Sequence, residues 1–432
     1  MKKLLIGLLS AAAVMGTAAF ADTIEVTIES PDVYTLTDNT VSKSTLEAAA
    51  YIENDITMVP LRFVSERLGA KVSWDEVTRT ITCTRDGRVI TLTIGDTTAY
   101  IRTDAGEEAK TLNAPPVIIN DITLVPLRFI AEGFDAYVEY VEPTRQVLIS
   151  SDEPAVTVGG NRLDKGMFKA YYLLNSLYAQ YYGEEQYKDM VYSQLTNIAA
   201  LDSQWSQIDP SNSLPDDTKA QLAAFDESAM AEAGFVKAYL AKIYELQNTL
   251  SKASDMLSKS FDSESVQSEY DNNYVCAKHI LITTYDAETG EALDEAGKKK
   301  AKKTAEDLLA KIKKGGDFDA LMAEYSQDPG SETNPDGYVF TRGDMVQEFE
   351  DASFALKENA VSDIVESTYG YHIIKRLPLP EITDEVKSNI SDRLTNSLLS
   401  SMASGAQVVN VMDKQALYDY MSAAPAADSS EE

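Results

Sequence analysis

Lys278-His279-Ile280-Leu281-Ile282 and Gly370-Tyr371-His372-Ile373-Ile374 set the fold of this chain, and they hold the only two histidines in its 432 residues. Each places an imidazole in a short aliphatic run of the kind that forms a buried strand. Between them stand Tyr325-Ser326-Gln327-Asp328-Pro329-Gly330 and Gly343-Asp344-Met345-Val346-Gln347-Glu348-Phe349-Glu350. The residues alone leave two readings open: core imidazoles with satisfied hydrogen bonds, or a paired polar site.

From 274 to 376 the pattern predicts a strand, a loop, a long helix over 294–314, a short helix over 318–325, a loop, a helix over 346–356 and a closing strand. The two histidine strands, Tyr325-Ser326-Gln327-Asp328 and the run from Gly343 through Leu356 resemble the parvulin family of peptidyl-prolyl cis/trans isomerases. That resemblance implies roles for individual residues. His279 and His372 fall on the family's paired core histidines, on neighbouring strands. Asp328 falls where parvulins carry a cysteine or aspartate facing the amide to be twisted. Met345 and Phe349 match the floor of the proline pocket, Phe340 the aromatic that completes it, and Ser367 a hydroxyl that joins the histidine network. An X–Pro bond prefers trans only slightly but crosses a barrier of roughly 18–20 kcal/mol set by amide resonance. No covalent bond breaks, so the resemblance implies neither metal nor cofactor.

Two departures stand out. The family's Gly-Gly-Asp-Leu-Gly turn is replaced by Asn334-Pro335-Asp336-Gly337-Tyr338-Val339-Phe340. After the first strand, Thr283-Thr284-Tyr285-Asp286 lacks the basic cluster of phosphate-specific parvulins, and the lysines of 298–303 read as a solvated helix face.

Helical periodicity flanks this segment on both sides. Met167, Tyr171, Leu174, Leu177 and Tyr178 open it, 186–205 continues it, a loop spans Pro210 to Pro215, and 217–231 and 235–257 follow. The pattern resumes over 384–402 and 413–421. Tyr171, Tyr172, Tyr178, Tyr181, Tyr182, Tyr187 and Tyr192 form an aromatic stripe, which is either core or a groove for unfolded chains.

Upstream, Asn54-Asp55-Ile56-Thr57-Met58-Val59-Pro60-Leu61-Arg62-Phe63 returns 66 residues later as Asn120-Asp121-Ile122-Thr123-Leu124-Val125-Pro126-Leu127-Arg128-Phe129. Each copy continues into a short helix and an alternating strand, so two similar α+β units are expected to pack together. The pair resembles the copper amine oxidase N-terminal-like stalk domain of Gram-positive surface proteins. A stalk implies either adhesion to the envelope or a spacer. Arg62 and Arg128 are expected to cap or pair with local carboxylates, with an anionic polymer as the alternative ligand.

The N-terminus places the chain outside the cytoplasm. Lys2-Lys3, an apolar run from Leu4 to Val14 and Ala19-Phe20-Ala21 form a secretory signal peptide, too short to span a bilayer. No later segment reads as transmembrane. A net charge of −31 excludes a phosphate-backbone binder, and so nucleic acid. Cys83 and Cys276 lie in separate strand-like runs and read as buried free thiols.

Together these features give a multidomain α+β protein: signal peptide 1–21, duplicated α+β stalk 22–152, helical chaperone domain 153–273, inserted parvulin α/β domain 274–378, C-terminal helices 379–422 that complete the chaperone domain, and a disordered acidic tail 423–432. This arrangement resembles secreted foldases of the PrsA and SurA kind. The expected partners are unfolded or proline-containing secreted polypeptides, with cell-wall polymers at the stalk and a dimer left open. The expected location is secreted and cell-wall associated. A non-catalytic holdase and an envelope adhesion or scaffold protein are the alternatives.

Overall fold

The structure, a computed structural model, describes residues 22–209, 213–286 and 289–425. The expected signal peptide, residues 210–212 of the expected loop and residues 426–432 of the expected tail lie outside the described residues. The chain forms two compact units, one built from residues up to Ser254 and from Leu398 onward, the other from Asp255–Ser397.

The repeat shapes the first unit. Asn54-Asp55 and Asn120-Asp121 each close a two-residue hairpin, with φ of 49° and 63° in the first and 51° and 63° in the second. Positive φ at both central positions is the type I′ turn that matches strand twist, and Asn and Asp adopt it at little cost. The outgoing strands, Ile56–Pro60 and Ile122–Pro126, pair antiparallel with each other. Met58 faces Pro126, Val59 faces Val125 and Pro60 faces Leu124, so a local twofold relates the copies. Pro60 and Pro126 then occupy the N-cap positions of the helices Leu61–Arg67 and Leu127–Gly133, without a side-chain cap.

A five-stranded antiparallel sheet closes the stalk, in the order Tyr137–Val141, Gln146–Ser150, Thr23–Thr27, Asp32–Thr37, Thr40–Thr45. Its central strands are buried on both faces. Ile24, Val26, Val147 and Ile149 point into the stalk core, whereas Tyr34, Leu36 and Leu148 join Phe168, Tyr239 and Leu240 of the helices in a second core. Packing is therefore continuous across residue 152. Polar contacts tie the sheet to the helix Lys237–Ser260. The buried Glu25 carboxylate accepts the Ala238 N–H at 2.7 Å, and Tyr239 Oη lies 2.8 Å from Thr23 Oγ1. Lys242 pairs with Glu139, and Arg162 Nε stands 2.6 Å from Asp164 Oδ1. Gly166 makes room for the Tyr239 ring, since a Cβ there would stand 2.3 Å from it.

Helical expectations hold with shifted ends. The run from Met167 to Tyr178 is broken into Lys165–Leu174 and Leu177–Tyr182, the span 217–231 into Asp216–Ala224 and Glu227–Glu232, and Ser263–Asn273 adds a helix that periodicity did not mark. The strand Val156–Val158 pairs with Asn161–Leu163 and, from far downstream, Val408–Asn410. The tyrosine stripe divides: Tyr171 and Tyr187 are core, whereas Tyr178 and Tyr181 are exposed. Both cysteines are free and buried.

The second unit is a four-stranded antiparallel sheet in the order Tyr338–Thr341, Tyr274–Thr283, Gly370–Leu377, Val365–Ser367. Alternation along the central strand divides its side chains. Ile280 and Ile282 pack on one face with Leu308 of the helix Glu295–Lys313 and Phe318 of the helix Phe318–Tyr325. Val275 and Ala277 pack on the other with Phe340, Phe349 and Ile374. The lysine face is solvated, with Lys303 on Asp307 and Lys298 on Glu295.

Candidate active site

The period of two that buries Val275 and Ala277 carries His279 onto the same face. Register does the rest. His279 opposes Ile374 and Leu281 opposes His372, so the two rings meet diagonally across the strand pair. Their centroids are 5.1 Å apart and Nδ1 faces Nδ1 at 3.3 Å.

Asp328 reaches them because its loop stands in for a strand. Beyond Ala277 the edge of the central strand is no longer covered by Tyr338–Thr341. The Leu281 N–H donates to Ser326 Oγ at 3.2 Å, the Gln327 N–H to the Leu281 carbonyl at 2.8 Å and the Thr283 N–H to Gln327 Oε1 at 2.8 Å. These bonds satisfy an exposed strand edge and deliver Asp328 beside His279, Oδ2 to Nε2 3.0 Å. That contact is close but out of line with the N–H, so it is more ion–dipole than aligned hydrogen bond. Asp328 also caps the following turn, accepting the Gly330 N–H at 3.3 Å.

Donor counting along this row gives one consistent arrangement. Ser367 Oγ lies 2.7 Å from His372 Nε2 and accepts the Tyr369 N–H. With Asp328 ionised, His279 carries its proton on Nε2, which leaves Nδ1 to accept from His372 Nδ1–H; His372 Nε2 then accepts from Ser367. The His372 ring is neutral in this pattern. Burial, reinforced by the nearby His279, lowers His372 to about 4, which agrees with a neutral ring. Burial alone would raise Asp328, but the His279 ring and the Tyr338 hydroxyl outweigh it and hold the carboxyl down to about 2.

Phe349 seals the row from below, edge-on to His279 at 4.9 Å and to His372 at 5.5 Å. Phe340 stacks behind it at 5.6 Å and is fully buried, so it forms the base of the apolar cluster. Met345 packs against the same cluster and remains partly exposed. The structure thus brings together all seven residues singled out from sequence: His279, Asp328, His372 and Ser367 in the polar row, and Phe340, Met345 and Phe349 in the apolar cluster.

Three further residues belong here. Tyr338 donates its hydroxyl to Asp328 Oδ2 at 2.6 Å, and burial followed by that carboxylate raises its own ionisation well above the usual range. It sits in the turn that departs from the family pattern, and the departure itself was the available signal. Glu350 is buried and accepts the Gly343 and Met345 N–H groups at 2.7 and 2.9 Å, fixing the loop that presents Met345. Gly370, with φ of 143°, is required by close approach: a Cβ there would stand 2.2 Å from the Ile282 carbonyl oxygen. The tight return it permits sets Ser367 against His372.

The family model of the PPIC-type PPIASE domain matches residues 257–377, the segment that holds this sheet and this row of side chains. The copper amine oxidase N-terminal domain matches residues 36–149, so the chain joins a parvulin-type module to a stalk-type domain. The foldase protein PrsA of Halalkalibacterium halodurans is 39% identical over 138 residues, which cover 30% of this chain and 41% of that protein. The PrsA of a Geobacillus species is 46% identical over 132 residues, covering 28% and 42% respectively. The match therefore spans well under half the length of these curated relatives. A crystal structure of a PrsA peptidylprolyl isomerase from Bacillus cereus is 23% identical, with a TM-score of 0.30, covering 57% of this chain and 91% of that one.

Proposed function

We propose that the chain is an extracytoplasmic peptidyl-prolyl cis/trans isomerase and foldase that acts on proline-containing secreted polypeptides. The observation that carries this reading is the row Ser367–His372–His279–Asp328, which ends on a partly exposed carboxylate, held by the Tyr338 hydroxyl, beside the Met345–Phe349 cluster. In the reaction, the prolyl ring rests against Met345 and Phe349, which strips water from the amide. Rotation about C–N removes resonance and localises a lone pair on nitrogen. A prearranged polar row at this point binds the twisted amide better than either planar form, which lowers the barrier without bond cleavage. His279 and Tyr338 position Asp328, while His372 and Ser367 fix the tautomer of His279.

The test is exchange of a proline tetrapeptide with the full chain. Acceleration is expected, with about a 10²-fold loss in kcat/KM for Asp328→Ala and a rise in KM for Met345→Ala. No acceleration by the unaltered chain would end the enzymatic reading.

A second activity has its own support. Leu177, Tyr178 and Tyr181 are 79%, 52% and 81% exposed and share a concave surface with Leu174 and Tyr182. Apolar patches of this kind suit unfolded chains, which fits the holdase alternative without loss of catalysis. In this reading, 22–152 is the stalk, 153–273 with 379–422 the chaperone domain and 274–378 the isomerase. The signal pattern at 1–21 supports an extracytoplasmic site, and among the described residues no helix is long and apolar enough to cross a membrane. Wall association is assigned to the stalk, and a dimer is an expectation of the sequence alone.

A further inference from the structure

The twofold that pairs Val59 with Val125 also duplicates a cleft. One cleft, of about 500 Å³, runs between the first copy's helix and strands and the second copy's hairpin. The other, of about 480 Å³, has the copies exchanged. Their linings correspond position by position at the 66-residue offset: Trp74 answers to Tyr140, Arg62 to Arg128, Glu66 to Glu132, and Asp55 to Asp121. Neither cleft is complete in one copy, since each takes its aspartate from the other copy's hairpin turn.

The walls narrow the ligand class. Trp74 and Tyr140 are 42% and 41% exposed on rigid strands, each offering a flat apolar ring to solvent. Beside each ring lie carboxylates that accept and a guanidinium that donates. The expected pairing of the repeated arginine with a local carboxylate holds only in the second copy. Arg128 contacts Glu132 at 3.1 Å, whereas Arg62 has no side-chain partner among the described residues. Charge argues against a polyanion. Glu47, Glu66 and Asp121 outnumber Arg62 in one cleft, and Asp55 and Glu132 outnumber Arg128 in the other. A ligand with apolar ring faces, hydroxyl edges and no net negative charge is a neutral saccharide. Two matching clefts within one compact unit suit a ligand that repeats itself, because the second engagement becomes intramolecular.

We infer that these paired clefts bind a neutral glycan chain, one saccharide segment in each, with Trp74 and Tyr140 as the stacking platforms. The inference deepens the reading of the stalk as the envelope-facing part and is independent of the isomerase site.

Trp74 also provides the readout, since the other tryptophan, Trp205, is buried. Chitohexaose is titrated into the full chain by tryptophan fluorescence and calorimetry. A saturable blue shift and two sites are expected. Trp74→Ala and Tyr140→Ala should each weaken one site at least about tenfold, with unfolding and isomerase activity unchanged. No saturable binding of chitohexaose or cellohexaose overturns the inference. So does binding that survives the double variant, or preference for a lysine- and tyrosine-rich peptide over either sugar. Retention on purified peptidoglycan sacculi separates the two readings. Retention of the chain and of its double variant alike keeps the envelope reading and removes the clefts as its cause. Oligosaccharide binding at the clefts without retention supports the clefts and removes wall attachment.

Discussion

Each unit contains a buried polar network, and the two are built to opposite plans. In the first, Glu25, Tyr239, Asp164 and Lys242 lie between a sheet buried on both faces and a long helix. Glu25, Tyr239 and Asp164 are buried, and the network holds elements together. In the second, the row from Ser367 to Asp328 runs along one face of a sheet and ends on a carboxylate that keeps some exposure beside an apolar cluster. Polarity alone does not mark a working site. What separates the two is that the second network has a charged end that a ligand can reach.

The largest effect expected from breaking this contrast lies in the first unit. Gly166→Ala sets a methyl against a Tyr239 ring that has no free space, and should cost about 1–3 kcal/mol in that unit's denaturant transition. Isomerase turnover should not change. A variant as stable as the parent would mean that the Tyr239 frame yields easily.

The two networks should also respond to pH in opposite directions. Burial raises Glu25 to about 8, so the folded state favours its proton. Its contribution is complete below the ordinary carboxyl pKa near 4.5 and fades as pH rises through about 8. His372 is lowered from 6.5 to about 4, so its contribution is complete above 6.5 and fades as pH falls through about 4. Each group changes stability by at most about 1.4 kcal/mol per pH unit. Denaturant melts from pH 4 to 9 should show the first unit weakening toward alkali and the second toward acid, with Glu25→Gln flattening only the former. Parallel slopes would dissolve the distinction.

The smallest change probes the charged end. Tyr338→Phe removes one hydrogen bond to Asp328 but keeps the ring, and should lower kcat/KM about fivefold. With that donor gone, the carboxyl pKa should rise and carry the acid limb of the activity profile upward. An unchanged profile would make Tyr338 a packing residue.

Much of this was legible in the chain. Strand periodicity around His279 and His372 marked two buried strands, the family resemblance paired their rings, and the 66-residue repeat announced two similar α+β units. What escaped was decided by distant partners. Nothing local in Ser326-Gln327 says that it will complete a strand edge, and Tyr338 and Glu350 acquire their roles only once the turn and loop are folded. Val408–Asn410 joins a sheet begun some 250 residues earlier. The core shared by stalk and helices did leave a trace. Val147-Leu148-Ile149 puts apolar side chains on both faces of one strand, the mark of a strand covered on two sides and not of one beside solvent.

The antiparallel pairing of Val59 with Val125 bears on how such a stalk could arise. A strand that meets its own repeat in a twofold register is self-complementary, so a lone copy would carry the interface for an isologous dimer. Joining two copies in one chain makes that association independent of concentration and frees each half to diverge. Trp74 against Tyr140, and an unpaired Arg62 against a paired Arg128, are divergence of that kind, within a symmetry that the backbone retains.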